Sequence, residues 1–168
     1  MSEGIWLDRL NSFRGAPFPP DVVESAVESI RKQCGWHIAP VREDTVEVYT
    51  VGRREFMLPT LHALSVLEIK DADDPEAVPF AGRLRVQRNG RVLALSGRLP
   101  EYVSVKFSHG HEEFPAALLP VVADRANAGS VGRIRSESMA SRSVSVDSGV
   151  DPLTEPLIAA YRVGRGAS

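Results

Sequence analysis

The sharpest structural signal in the chain is the sequence LRVQRNGRVLAL at residues 84–95. Its centre, Asn89-Gly90, is typical of a two-residue type I′ turn between antiparallel strands. Such a turn places Val86 opposite Leu93. Because side chains alternate between the two faces of a strand, this register gathers the apolar side chains on one face: Leu84, Val86, Leu93 and Leu95. The sequence therefore predicts an antiparallel hairpin whose turn chemistry and hydrophobic pattern agree.

The tip of this predicted hairpin is basic. Arg88 and Arg91 would face each other across the turn, and directly opposed like charges destabilise a pair of strands. Two interpretations stay open: the guanidinium groups splay into water, or the tip meets an acidic partner. Further arginines near the tip belong to the second interpretation: Arg83, Arg85 and Arg98.

More strands are predicted around the hairpin, within a β-region at residues 40–107. Short runs of alternating and β-branched residues favour strands at four places: Glu47–Val51, Glu55–Leu58, Leu64–Ile69 and Tyr102–Phe107. Gly52-Arg53-Arg54 would join the first two strands as a second hairpin. The β-region is therefore predicted to be antiparallel.

A helix is predicted before the β-region, at residues 20–35, from apolar side chains at helical spacing. Asp21 is the expected N-cap, with Glu24 as in a capping box, and Gly35 is the expected stop. Cys34 falls on the apolar stripe of this helix. A small buried hydrophobe is therefore a better interpretation of Cys34 than a redox group.

A second helix is predicted after the β-region, at residues 115–128. Pro120 lies inside it and would kink or split it, and Gly129 would end it. A last short helix is predicted within the C-terminal segment, residues 151–168. With a core at residues 19–128, the chain is predicted to be an α+β protein with a frame of about three helices.

Two remaining segments are candidate arms. Residues 1–18 are rich in turn formers but contain Trp6 and Phe13, which either dock on a neighbouring subunit or pack on the protein's own core. Residues 129–150 are serine-rich and poor in apolar side chains, which favours an extended arm or loop. Their apolar residues are further candidates for contact between subunits: Ile134, Met139, Val144 and Val146.

The composition narrows the class of protein. Of 168 residues, 43% are hydrophobic and 25% charged, with a formal net charge of -2, whereas a dedicated nucleic-acid binder is usually strongly basic. A single cysteine cannot form an internal disulfide, which favours a reducing cytoplasm. No apolar run approaches the length of a membrane span, and the N-terminus lacks the pattern of a signal peptide.

Sequence motifs for catalysis are missing: the chain has neither a glycine-rich phosphate loop nor a nucleophile elbow. The ligand-like cluster is His109-Gly110-His111 followed by Glu112-Glu113. Catalytic zinc usually takes about three protein ligands, and His109, His111 and Glu113 are the candidates. A polar turn between strand and helix accounts for the same residues, so a small metal-dependent enzyme is the least favoured alternative. We therefore expect no catalytic residues, no metal and no cofactor.

The joints between the predicted elements carry a family resemblance. They are CGWHIAP at 34–40, LPTLH at 58–62, VKFSHGHEEFP at 105–115, SVSV at 143–146, LTE at 153–155 and YR at 161–162. In this order and spacing they resemble the head-to-tail adaptor proteins of actinobacterial siphophages, within the wider head–tail connector family. The predicted second helix is shorter than that family leads us to expect.

The resemblance implies a structural protein of the virion neck, between capsid and tail, present in the host cytoplasm during assembly. Such adaptors form a ring, usually of about twelve subunits, which binds the portal protein and the next neck protein, a stopper. Double-stranded DNA passes through the lumen without sequence-specific binding. The portal contacts would fall in the C-terminal segment: Leu157, Tyr161, Arg162 and Arg165.

Two alternatives stay open beside this interpretation. Leu157 and Tyr161 could equally pack on their own helical core. The whole chain could instead be another neck or tail-completion protein, such as a stopper, although its helical frame argues against a mainly β stopper.

Overall fold

The computed structural model describes residues 3–74, 76–138 and 154–164 and confirms a mixed α+β fold. Within these residues no helix combines the length and apolar character needed to cross a membrane. The elements in chain order are α1 (Glu3–Leu10), α2 (Pro20–Cys34), β1 (Arg42–Tyr49), β2 (Glu55–Met57), β3 (Ala63–Asp71), β4 (Leu84–Val86), β5 (Arg91–Ala94), β6 (Tyr102–His109), a 3-10 turn (Ala116–Leu118), α3 (Leu119–Ser138) and α4 (Glu155–Ala160).

The chain divides into two compact units. The helical unit holds the described residues of 1–35 and 113–162. The β unit is Trp36–Glu112, together with Val163 and Gly164. The β-region of the sequence is thus inserted between helices. This was predicted from the change from helical to strand-like spacing of the apolar residues.

The N-terminal segment, predicted as an arm, packs within the helical unit. Its helix α1 buries Leu10, which is 2% exposed. The indole of Trp6 lies 5.5 Å from the ring of Phe114, and the side-chain amide of Asn127 donates a hydrogen bond to the Arg14 carbonyl at 2.9 Å. Of the two interpretations of Trp6, packing on the protein's own core is the one observed.

Helix α2 begins one residue before its predicted N-cap. Pro19 occupies the N-cap position and no side chain caps the helix, so the capping box expected from Asp21 and Glu24 is wrong. Gly35 ends the helix in the left-handed conformation, at φ 78°, with its N–H bonded to the Arg31 carbonyl. This end was predicted, and Cys34 is fully buried as its place on the apolar stripe indicated.

Helix α3 is longer than the sequence predicted. Pro120 sits in its first turn, where a missing N–H costs little, and the split falls before it, as a 3-10 turn. Gly129 does not end the helix, which continues to Ser138, so the predicted boundary at residue 128 is wrong. A Cβ built on Gly129 would lie 3.5 Å from Val22 of α2. The glycine therefore lies where the two helices approach each other.

The β unit contains two three-stranded antiparallel sheets that share one core. Sheet A has the strand order β1-β6-β3 and sheet B the order β2-β5-β4. The predicted hairpin of β1 with β2 is wrong, because β1 pairs with β6 and β2 with β5. One apolar cluster lies between the sheets, centred on Val92, Val103, Val105 and Phe107.

The hairpin of β4 and β5 forms in a different register from the one predicted. Val86 pairs with Val92, and Leu84 with Ala94. The loop has three residues, 88–90, and Gly90 adopts φ 86°, which is the geometry of a type I turn followed by a left-handed residue. Val92 and Ala94 are therefore buried, and Leu93 faces away from the core.

Candidate interaction surfaces

Helix α4 is the first candidate surface, and one side chain anchors it. Ile158 is fully buried in the helical unit, and the Cys34 thiol lies 3.9 Å from its carbonyl oxygen. Burial raises the pKa of this thiol, although the nearby cations of Arg162 and Arg125 oppose the shift. Cys34 is thus an inert packing group at the base of α4.

Arginines fasten α4 and α3 to the end of α2. The Arg162 guanidinium donates to the Gln33 carbonyl at 3.3 Å and to the Glu155 carboxylate at 2.9 Å. Arg125 of α3 donates to the Gln33 side chain at 2.5 Å and to the Ser29 hydroxyl at 2.7 Å. Gln33 therefore joins three helices, and α4 is held in place although it has only six residues.

The candidates for portal contact differ in how far their side chains are exposed. Leu157 and Tyr161 are half-buried, and Arg162 is exposed. Arg165 lies outside the described residues. Ile158 is the buried residue of this helix. The sequence does not predict it, because the adjacent apolar pair 157–158 does not reveal which member faces inward.

The candidate arm residues lie in different settings. Trp6 and Phe13 are half-buried in the helical unit, and Ile134 lies on α3 rather than in an extended segment. Three others lie outside the described residues: Met139, Val144 and Val146. Residues 129–138 of the predicted arm therefore belong to helix α3.

The hairpin tip is a second candidate surface, but its two arginines do not face each other. Arg91 pairs with Gln87 at the start of the hairpin and forms an ion pair with the carboxylate of Glu55 on β2. The loop itself is held to the segment that follows β2, since the N–H of Leu58 donates to the Gly90 carbonyl at 2.8 Å. The side chain of Arg88 is exposed on this fixed loop, and that of Arg91 is exposed at the first residue of β5.

The histidines gather in the β unit, at the end of β6. His109 is 1% exposed, and its ring nitrogens lie 2.8 Å from an Asp44 carboxylate oxygen and 3.2 Å from the Thr60 hydroxyl. Burial raises the pKa of Asp44, but hydrogen bonds from His109 and Arg42 outweigh it, so the net pKa lies below its ordinary value. His109 is thus a hydrogen-bonded core residue.

A second pair of histidines stacks beside it. The rings of His62 and His111 lie 4.1 Å apart and nearly parallel, and His62 is also bonded to the Gly110 carbonyl at 2.9 Å. Burial, with the charges of His62 and Arg88, lowers the pKa of His111. Within the described ranges no group of three or more ligand residues is placed to hold a metal ion, and Glu113 belongs to the helical unit.

Comparisons with known proteins give a structural likeness. One similar chain comes from an assembly described as the neck of a native GTA (gene transfer agent) particle computed with C12 symmetry. The two sequences are 18% identical, the match covers 88% of this chain and 83% of that chain, and the TM-score is 0.58. Another comes from the neck of an empty GTA particle computed with C6 symmetry, with 17% identity, coverage of 96% and 88%, and a TM-score of 0.61. No protein-family model and no curated protein matches the chain. These identities indicate a shared fold.

Proposed function

We propose that this protein is a structural subunit of the head–tail neck of a phage or phage-like particle, and more narrowly a head-to-tail adaptor beneath the portal. The observation that carries the proposal is the likeness to neck chains over 88% and 96% of the chain. A match of this extent includes both the helical unit and the inserted β unit. Partial likeness to a common helical motif would not extend so far.

A ring is the assembly that this role requires. The neck structures to which the chain is similar were computed with C12 and C6 symmetry. Closed cyclic rings form when each subunit presents two different complementary surfaces. We propose a ring of about twelve copies here, with double-stranded DNA passing through its lumen and a stopper or other neck protein on the side away from the portal.

Helix α4 is the proposed portal contact. Its backbone is fastened by Ile158 and by the bonds of Arg162 to Gln33 and Glu155. Leu157 and Tyr161 remain half-exposed beside these anchors. A preformed helix loses little conformational entropy on binding, so a short helix with a few apolar side chains can contribute a specific contact.

We propose no enzymatic activity. The histidines that resembled a metal site are used in the interior of the β unit: His109 with Asp44 and Thr60, and His62 with the Gly110 carbonyl. These bonds assign a packing role to the cluster, which connects the end of β6 to β1 and to the segment before β3.

A stopper-like neck protein is the second candidate. The observation that favours it is the size of the β unit, which has two three-stranded sheets around one apolar core. The two roles differ in their partner, because an adaptor binds the portal directly whereas a stopper binds below an adaptor ring.

The distinguishing experiment is light scattering after size exclusion, on the purified protein alone and mixed with the portal ring of the same particle. An adaptor moves into the portal peak with one copy for each portal subunit. A Tyr161→Ala, Leu157→Ala variant should lose this shift, while a Lys32→Ala variant on the exposed side of α2 should keep it. If the wild-type protein stays apart from the portal at micromolar concentration but binds an adaptor–portal complex, the stopper role replaces the adaptor role.

A further inference from the structure

The β unit has two opposite outer surfaces, because sheets A and B pack their inner faces on one core. On β6 the inward side chains are Val103, Val105 and Phe107, so their neighbours along the strand point outward from sheet A. On β5 the inward residues are Val92 and Ala94, so Leu93 points outward from sheet B. These two surfaces differ in chemistry.

The outer surface of sheet B, here called the arginine face, combines cations with exposed apolar side chains. Arg85 pairs with Leu93, and Arg91 with Met57. Met57 is 55% exposed and Leu95, beside Arg83, is 39% exposed. Arg91 is ion-paired with Glu55, whereas among the described residues no carboxylate forms an ion pair with Arg83 or Arg85.

One end of sheet A, here called the tyrosine end, combines aromatic rings with carboxylates. Tyr49 and Tyr102 are register partners whose rings stack at 4.2 Å, and Tyr49 is 72% exposed. The Tyr102 hydroxyl is bonded to Glu47. The hydrogen bond to Glu47 raises the pKa of Tyr102 to about 12, with the charge of Asp73 adding to the effect. Glu101 is exposed beside Tyr102.

The tyrosine end also holds a strained apolar residue. Val51 has a φ of 49°, a left-handed conformation that is unfavourable for a β-branched side chain. It is nonetheless 72% exposed, so its side chain contributes little to the core of its own subunit. Strain at an exposed position points to a contact outside the subunit, and Val51 lies within three residues of Tyr49.

We propose that the arginine face of one copy docks on the tyrosine end of the next copy of this chain. Arginine binds carboxylates through paired hydrogen bonds and stacks on aromatic rings, and Val51 supplies apolar surface for Met57 and Leu95. The two surfaces differ and point in opposite directions, so their contact is heterologous and can close into a ring. This inference rests on the proposed neck function and supplies its subunit contact.

The apolar members of the arginine face favour a protein partner over nucleic acid. Arg and Met are enriched at protein interfaces, whereas a surface that tracks a phosphate backbone relies on cations. The same chain provides a surface with carboxylates at the tyrosine end. A second copy is therefore the partner with complementary charge.

The test is a charge swap between two variants, one for each surface. Arg83→Glu with Arg85→Glu makes the arginine face acidic, and Asp73→Lys with Glu101→Lys makes the tyrosine end basic. Each variant alone should assemble on the portal roughly a hundredfold more weakly than wild type, because like charges then meet at every contact. Mixed in equal amounts, they should form rings again, because alternating copies restore opposite charges at both kinds of contact.

The control variant, Arg9→Glu with Lys32→Glu, changes the charge of the helical unit by the same amount and should assemble as wild type does. Ring formation is read by light scattering and by subunit exchange with distinguishable tags, after circular dichroism has established that each variant is folded. Val51→Gly is a second probe, expected to weaken assembly without lowering the thermal stability of the monomer.

Three results would overturn the inference. Single variants that assemble normally show that neither surface is used, although portal binding by the wild type would leave the neck function standing. Loss of assembly without rescue in the mixture assigns the arginine face to DNA or to another neck protein. A wild-type protein that neither forms rings nor binds the portal or its adaptor complex removes the neck function together with the inference.

Discussion

Replacing Ile158 by alanine should detach helix α4 from the helical unit. The side chain is fully buried, and alanine removes about three carbon groups, each contributing about 0.8 kcal/mol. This transfer loss of about 2.4 kcal/mol rises with the cavity that remains, toward about 4 kcal/mol. Because α4 has six residues, it can detach locally, so the observed loss should lie at the lower end of this range.

The matched substitution is Leu157→Ala, one position earlier on the same helix. Leu157 is half-buried, so we expect a loss of about 1 kcal/mol or less in the free energy of unfolding, but a clear loss of portal binding. The assay is urea denaturation followed by circular dichroism, with hydrogen exchange at the amides of α4 to detect local detachment. Equal losses for the two variants, or a loss below about 0.5 kcal/mol for Ile158→Ala, would refute the assignment of inner and outer sides.

Further predictions concern single residues in each unit. A Cβ on Gly15, whose φ is +96°, would lie 1.9 Å from the Asn127 side-chain oxygen, so Gly15→Ala should loosen the N-terminal segment and speed its proteolysis. Gly90→Ala should cost more unfolding free energy than Gly52→Ala in urea denaturation. Both glycines have positive φ, but a Cβ on Gly90 would lie 2.6 Å from the Thr60 carbonyl oxygen, whereas a Cβ on Gly52 would meet nothing within 4 Å. Burial lowers the pKa of His111 below its ordinary 6.5, so the unfolded chain binds more protons and stability should fall as the pH drops below 6.5. His111→Gln should flatten this part of a stability–pH curve.

The hairpin of β4 and β5 shows what a local pattern could and could not predict. The presence of the hairpin followed from Asn89-Gly90 and the flanking strands. Its register did not, because residues 92–95 are all apolar, and either face of β5 could have been buried. The packing of Gly90 against the backbone of Leu58 and Thr60 is a non-local contact that a two-residue turn signal cannot contain.

Helix ends were predictable where a glycine needed a special conformation and not elsewhere. Gly35 ends α2 with φ 78°, which only residues tolerant of the left-handed region adopt easily. Gly129 has no such requirement and continues the helix at its approach to Val22. Sequence alone cannot distinguish these uses of glycine, because the deciding contact comes from a helix more than one hundred residues away in the chain.

The elements that form the candidate surfaces could be predicted from the sequence, but the residues that face inward could not. The sequence predicted a short helix in the C-terminal segment, and α4 confirms it. Whether Leu157 and Tyr161 faced inward or outward stayed open, and the residue that is buried is Ile158. The sequence of the histidine cluster predicts a polar turn, with a metal site as the least favoured alternative. Its use of Asp44 and Thr60 as partners for His109 depends on strand pairing across β1 and β6.

A small net charge conceals an uneven distribution of charge. The formal value of -2 for the whole chain argued against a nucleic-acid binder, and it also concealed the separation of arginines on sheet B from carboxylates at the tyrosine end. A subunit whose charges were evenly mixed would have no electrostatic preference between face-to-face and head-to-tail pairing. Unlike surfaces on opposite sides repel their own kind and attract each other, so this separation favours the heterologous contact that the proposed ring requires.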